Sequence, residues 1–433
     1  MYTKANELEA YLRNNPAHNL WPAELNRELM WPRYDGYSIA NVPATIARVL
    51  GRDLELGQPL DGIYWQPLSH GVNKVVVLLL DAMGYLQLTN LFALDEPCLW
   101  RELAPRGIYL PMTSLCPSTT TTVLATLATG EPPIRHGMLG YELWLAQFGT
   151  VADMITPKAS YSPGRETLED WGMIAESFMP VQSLGQRMAE LGIRTTGLIP
   201  AQYLTSSLSR MLYRGFERQI GYSDARELMS TLRGLLENDD ATPGYYFVYW
   251  STIDTAMHRY GNAGGYWQSE LRSISKALRT DFMNKLTPQA RRGVLFAMTA
   301  DHGWVETPVE TAHDLEHDEL LRQELLGPYS GESRAAYLHC LHGDSDRSLE
   351  TVRCALGGDF WVLKIEDALA ANLWGEGEIS AEVRIRLGHL LALARGQHYL
   401  DRQGKSQRMR GRHGGLDPAE MLIPWLALCL DGM

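Results

Sequence analysis

Unbroken apolar runs, rather than alternating ones, set the organisation of this chain. Lys74-Val75-Val76-Val77-Leu78-Leu79-Leu80-Asp81 is a continuous β-branched and leucine run. Such a run predicts a strand buried on both faces, as in a parallel sheet. Tyr245 to Trp250 and Gly293 to Ala300 predict two more buried strands, and Gly107 to Leu110 and Arg194 to Ile199 shorter ones. Tyr337 to Leu341 and Trp361 to Leu363 give weaker strand signals. Between these runs the apolar period changes to that of helices: Ala5 to Arg13, Asp35 to Gly51, Gln182 to Leu191, Leu228 to Leu236 and Tyr266 to Leu286. Strands alternating with helices predict an α/β fold, a three-layer α/β/α sandwich around a mostly parallel sheet. No repeat, low-complexity tract or linker divides the chain. We therefore read 1–433 as a single domain, with 1–70 as an N-terminal extension packed on it. Residues 142–240 and 305–410, poorer in strand signal, read as cap insertions.

One segment departs from both patterns. Six threonines and a serine fall between Ser118 and Thr129, opened by Pro117 and closed by Gly130. Val123, Leu124, Leu127 and Ala128 repeat at helical spacing, and Gly130 suits the residue just past a helix end. Hydroxyls crowd the N-terminus of this short helix, where free N–H groups and the helix dipole favour an anion. By itself the segment reads equally well as a threonine-rich cap without chemistry.

Composition changes this picture little. The chain of 433 residues is 45% hydrophobic and 21% charged, an ordinary globular mixture. A net charge of −12 argues against non-specific nucleic-acid binding, which needs a clustered basic surface. A small anionic substrate remains compatible if a metal or helix terminus reverses the charge locally. The first residues lack a basic stretch followed by an apolar core, and no run approaches the roughly 18 apolar residues of a membrane helix. The five cysteines are scattered without a Cys-x-x-Cys pair, so they read as reduced thiols and the expected location is the cytoplasm.

The chemistry gathers where the three confident strands end. Each is followed by a carboxylate: Asp81, Asp254 and Asp301. An acid at the carboxyl end of a sheet strand sits where open α/β sheets bind ligands. Asp254 and His258 stand at i, i+4, one face of a helical turn, and His302 adjoins Asp301. One acid at a strand end is ordinarily a structural cap; three, two of them with histidines, are harder to assign that way. With His413 in the late Arg412-His413-Gly414-Gly415 segment there are six oxygen or nitrogen ligands, of the kind that zinc or manganese takes. Six exceed one tetrahedral site and suit two metals, which together stabilise the attacking and leaving oxygens of displacement at phosphorus. A threonine hydroxyl held at such a pair becomes a nucleophile.

In their order, Asp81, the threonine turn, Asp254-x-x-x-His258, Asp301-His302-Gly303 and His413 resemble the alkaline phosphatase superfamily, and within it the nucleotide pyrophosphatase/phosphodiesterase branch. In that branch the nucleophilic threonine precedes a Thr-Gly pair by ten residues, with His-Gly six residues further on. Thr129-Gly130 and His136-Gly137 match, and counting back reaches Thr120, with Thr119 the rival if the register slips by one. The resemblance covers about residues 75–145, 245–305 and 405–425. It implies an alkaline-phosphatase-like fold and two divalent ions, Zn2+ foremost and Mn2+ as the alternative. Asp81, Thr120, Asp301 and His302 would hold one ion, and Asp254, His258 and His413 the other. It further implies a metal-dependent hydrolase of phosphodiester or pyrophosphate bonds in a small, nucleotide-like substrate, acting through a phosphothreonine. The family's aromatic and Pro-Asn after the threonine are replaced here by Thr121-Thr122-Val123. Its phosphate-binding asparagine corresponds to Tyr141, whose hydroxyl also donates hydrogen bonds. Trp304, just past Asp301-His302, is expected to line the substrate pocket.

Three other readings compete with this one. A phosphomonoesterase or phosphonate hydrolase of the same superfamily is the runner-up, and a non-catalytic binding or regulatory module is disfavoured because every ligand position is filled. His313-Asp314-Leu315-Glu316-His317 fits an inverted zinc-protease pattern but reads as the start of a solvated acidic helix. Arg135 and Arg412 adjoin the site motifs and are as readily surface cations as phosphate ligands.

Overall fold

The computed structural model describes residues 3–14, 21–94, 96–160, 164–238, 242–315, 318–341, 345–401 and 409–432. Seven strands form the main sheet: β1 (Lys74–Leu80), β2 (Ile108–Thr113), β3 (Arg194–Pro200), β4 (Arg218–Tyr222), β5 (Gly244–Trp250), β6 (Val294–Thr299) and β7 (Leu422–Cys429). Their order is β2-β7-β6-β1-β5-β3-β4. All neighbours pair in parallel except β7, the late apolar run, which is antiparallel to both β2 and β6. The sheet is therefore mostly parallel, as the continuous apolar runs require. Every residue of β1, β5 and β6 is buried. At about 1.5–3 kcal/mol for each large apolar side chain buried, these central strands anchor the fold.

The segments expected as insertions divide in two. Within 142–240, Arg194–Pro200 and Arg218–Tyr222 are not insertion but the far edge of the main sheet. The first strands of 142–240, from Glu142 to Ala159, join strands of the 305–410 segment in a second, antiparallel sheet of seven strands. Its order runs Phe360–Lys364, Leu390–Ala394, Ala335–Leu338, Ser330–Glu332, Glu142–Leu145, Thr150–Asp153 and Lys158–Ala159. The weak signals at Tyr337 and Trp361 thus belong to a sheet assembled from distant pieces. Its helical layer includes Ser345–Leu356, and a small apolar core of Leu338, Leu356, Phe360, Val362 and Leu390 lies within it.

The threonine segment forms the helix Thr120–Thr129, with Thr119 at its N-cap position and Gly130 left-handed (φ 75°) just past its end. All ten helical residues are buried. The helix of Asp254 spans Thr252–Tyr260. The Tyr266 helix runs as α-helix to Ala277 and continues as a wider π turn to Met283. His313 lies not in a helix but in the strand Ala312–Asp314; Glu316 and His317 of the zinc-protease pattern lie outside the described residues.

Candidate active site

Strands β6, β1 and β5 are neighbours in register, so their carboxyl ends open at one edge. Asp301, Asp81 and Asp254 follow those ends, and this shared edge brings the three acids together. Two glycines let the loops touch: a Cβ on Gly303 would lie 2.1 Å from the Ala419 carbonyl oxygen and 3.1 Å from Gly84 Cα. Gln87 reinforces the contact by donating to the Trp304 carbonyl at 2.7 Å. Ala82, next to Asp81, takes a positive φ of 62° and donates its N–H to Asp301 Oδ1 at 3.1 Å. A non-glycine residue in that region stores strain of about 1–3 kcal/mol, which the surrounding packing has to hold.

Two triads result. In the first, His302 Nε2 stands 3.6 Å from Asp81 Oδ1 and 3.4 Å from Asp301 Oδ2. In the second, His258 Nε2 stands 3.2 Å from Asp254 Oδ1 and 3.2 Å from His413 Nε2. The His302 and His413 rings stack at 3.7 Å, so the triads abut. Thr120 Oγ1 belongs to the first group, 3.2 Å from His302 Nε2 and 3.5 Å from Asp81 Oδ1. The hydroxyl of Thr119 instead binds Glu332. His413 reaches the site because its loop is zipped to the threonine turn. Ser118 donates to the Gly415 carbonyl (2.7 Å) and accepts from the Gly414 N–H (3.2 Å).

The tautomers follow from the partners. His258, His302 and His413 each point Nδ1 at a backbone carbonyl, those of Gly411 (2.8 Å), Gly303 (3.0 Å) and Ser118 (3.1 Å). A carbonyl only accepts, so each Nδ1 carries the proton and each Nε2 presents a lone pair. Lone pairs therefore face lone pairs and carboxylates. Asp254 Oδ1 and Asp301 Oδ2 are buried and make no hydrogen bond among the described residues. This donor set, with carbonyl-anchored imidazoles, fits a pair of divalent cations of the zinc class. Burial drives Asp81 well above the usual carboxylate range, with the charges of Asp301 and Asp254 adding to it. Burial also raises Asp254, and it pushes His413 well below the usual imidazole range with His302 and His258 beside it. A bound cation reverses that logic, favouring carboxylates and neutral imidazoles alike.

A cavity of about 380 Å³ opens over the second triad and Thr120, lined on that side by Thr119, Thr120, Asp254, His258 and His413. Tyr141, Glu142, Glu332, Asp401 and Arg412 line the rest. Tyr141 is where the sequence put it, but its hydroxyl donates to Asp153 and its N–H to Glu332 (3.0 Å). Trp304 is a correction. It is 3% exposed and packs edge-on against Trp267 beneath Gly411, because the pairing of Val305–Glu306 with Gly411–Arg412 turns the ring inward. Arg412 lines the cavity with its guanidinium over the Tyr399 ring, whereas Arg135 pairs with Glu131 at 3.8 Å.

Sequence reasoning missed three contributors. Tyr249, taken for sheet core, donates its buried hydroxyl to Asp81 Oδ2. Glu332, whose carboxyl burial raises to about 8, comes from the second sheet. Ser118, one of the crowded hydroxyls of the threonine segment, ties that turn to the loop of His413. Only the position of Tyr249 just ahead of Asp254 offered a local signal.

Residues 75–416 match the family profile of type I phosphodiesterase / nucleotide pyrophosphatase. No curated protein matches the chain. Among solved structures, murine ectonucleotide pyrophosphatase / phosphodiesterase 5 superposes with a TM-score of 0.61 at 16% identity, covering 82% of this chain and 88% of that one. An inactive variant of it in complex with AMP gives 0.60. Phosphonoacetate hydrolase from Sinorhizobium meliloti 1021, in complex with phosphonoformate, gives 0.57 at 17% identity over 82% and 89% of the chains. These likenesses establish a shared fold.

Proposed function

The chain belongs to the type I phosphodiesterase / nucleotide pyrophosphatase family, and from that membership and its site we propose a two-metal hydrolase of phosphodiester or pyrophosphate bonds in small substrates. The observation that carries the proposal is the pair of abutting triads whose Nε2 lone pairs and carboxylate oxygens converge beside one threonine hydroxyl. Asp81, Asp301 and His302, with Thr120, would hold one divalent ion and Asp254, His258 and His413 the other. Bound there, such ions supply Lewis-acid charge at the attacking and leaving oxygens.

The rest falls to the chain itself. Thr120 is the nucleophile: its Oγ1 attacks phosphorus, the leaving oxygen departs and a phosphothreonine forms, which water then hydrolyses. The alternative nucleophile, Thr119, has its hydroxyl committed to Glu332. The N–H groups at the start of the ten-residue helix Thr120–Thr129 face the phosphoryl oxygens and add positive potential. The carbonyls of Gly303 and Ser118 hold the Nδ1 protons of His302 and His413, so Nε2 is the atom each ring turns to the site. Tyr249 holds Asp81 by one oxygen and leaves the other facing Thr120 and His302. Tyr141, with its hydroxyl on Asp153, shapes the cavity wall, and Arg412 is the cation there for a second phosphoryl group. No helix among the described residues is long and apolar enough to cross a membrane. We place the protein in the cytoplasm on its five thiols, none in a disulfide.

Hydrolysis of bis-p-nitrophenyl phosphate against p-nitrophenyl phosphate tests the reading. We expect the diester to turn over faster, chelation to abolish turnover, and Zn2+ or Mn2+ to restore it. Undiminished turnover by Thr120→Ala would remove the nucleophile, and a preference for the monoester would favour the phosphomonoesterase reading.

A further inference from the structure

A second cluster of ligating side chains lies in the inserted segments. His313 is the middle residue of Ala312–Asp314, which pairs in parallel with Tyr399–Asp401 so that His313 stands opposite Leu400. His398 immediately precedes that partner strand, and Asp359 ends the turn Gly357–Asp359. Far apart in sequence, the three side chains converge. His313 Nε2 is 3.1 Å from Asp359 Oδ2 and 3.3 Å from His398 Nδ1. His398 Nε2 is 3.2 Å from Asp359 Oδ1.

The two spacings around His313 Nε2 match edges of a metal polyhedron. Zinc ligands at about 2.0–2.1 Å in tetrahedral array lie about 3.3 Å apart. With its Nε2 proton on Asp359 Oδ1, His398 presents the Nδ1 lone pair toward His313. The backbone is already in place. The Arg395 N–H donates to the Asp359 carbonyl (3.0 Å), the His398 N–H to the Arg395 carbonyl (3.1 Å), and Arg334 to the His398 carbonyl (2.5 Å). The ring of His313 meets Phe360 edge-on at 5.2 Å.

A second observation gives such an ion something to do. Ala312–Asp314 and Tyr399–Asp401 form a sheet of their own, two strands of three residues in parallel. A parallel pair so short has few ladder bonds and is marginal by itself. It nevertheless carries Leu400 and Asp401 into the wall of the catalytic cavity. We propose that His313, His398 and Asp359 form a third metal site, taking one divalent ion of the zinc class as a structural staple behind that wall. Two imidazoles and one carboxylate select against Mg2+ and Ca2+, which prefer all-oxygen sets. Side-chain exposures of 24%, 30% and 43% leave the fourth position to water.

Without an ion, the same groups close a hydrogen-bonded ring, and metal counting separates the two. The full chain, free of any histidine tag, is equilibrated with Zn2+, dialysed and measured by mass spectrometry. We expect about three zinc ions per chain, and about two in His398→Ala, His398→Asn and Asp359→Asn. The two asparagine variants keep polar contacts and guard against a folding defect. Chelation should lower the melting temperature of the wild type more than that of His398→Asn. An equal zinc count in wild type and all three variants overturns the proposal. A His258→Ala variant tells this failure from failure of the hydrolytic pair, because it removes ligands from that pair alone.

Discussion

Arg334→Met tests how the second sheet is coupled to the active site. Arg334 and Glu420 are both fully buried, and the guanidinium binds both carboxylate oxygens at 2.8 and 2.9 Å. Glu420 also accepts the N–H groups of Gly415 (2.9 Å) and Asp417 (3.3 Å), and Gly415 lies two residues past His413. Methionine nearly conserves volume but strands a carboxylate in the interior. Breaking a buried pair from one side costs about 3–5 kcal/mol. Two backbone donors remain on the carboxylate, so we place the loss at the lower end, about 3 kcal/mol. That is roughly a hundredfold in the folding equilibrium. Converting Glu420 to Gln in the same background removes the stranded charge while an amide oxygen still accepts from Gly415. The double variant should therefore regain more than half of the loss. The unrecovered part is the Arg334 bond to the His398 carbonyl, worth about 1 kcal/mol. Equilibrium urea unfolding of the metal-saturated protein, followed by tryptophan fluorescence, measures all three proteins. A loss under about 1 kcal/mol in the single variant, or a double variant no more stable than the single, would refute the stranded-charge reasoning.

Other outcomes follow from the same geometry. Thr120→Ala should reduce kcat by at least about a thousandfold, whereas Thr119→Ala should stay within about tenfold; equal losses in steady-state assays would contradict the assignment. Tyr249→Phe frees one oxygen of Asp81 and should weaken metal affinity or activity by about 10–100-fold, read by competition with a chelating dye. Burial pushes His136 down to about 3 and His339 to about 4. Both ordinarily titrate near 6.5, so the unfolded chain takes up protons first as pH falls. Their contribution to stability is complete above about pH 6.5 and is lost toward pH 3–4. Urea unfolding at pH 7 and 5 should show the decline, and His136→Gln should flatten it.

Local chemistry was enough for the core of the fold. The runs Val75–Leu80, Tyr245–Trp250 and Val294–Thr299 are apolar on both faces, and their short length and β-branched or aromatic content favour a strand covered on both sides. The threonine helix was legible for the same reason: its caps, period and closing glycine are all properties of adjacent residues. The acids at the strand ends could be read too, because strand polarity decides which end faces ligand.

What local pattern does not carry is which strands are neighbours. The order β6-β1-β5, which turns three separate acids into one site, depends on pairing across more than a hundred residues. Tyr249 looked like core because it is core; only the placement of β5 beside β1 brings its hydroxyl to Asp81. Trp304 adjoins the site in sequence but faces away, since its backbone direction is imposed by pairing with Gly411–Arg412. Glu332 and His313 lie on strands of three residues, and Asp359 and His398 in turns, all too short to show a period, so contacts distant in sequence alone assemble them. Sequence by itself determined the buried strands and the threonine helix, through periodicity and capping, and so marked the acids and histidines that are candidates for the site. Tertiary packing decided which of them meet, because the orientation of a side chain is settled by the neighbour that buries it.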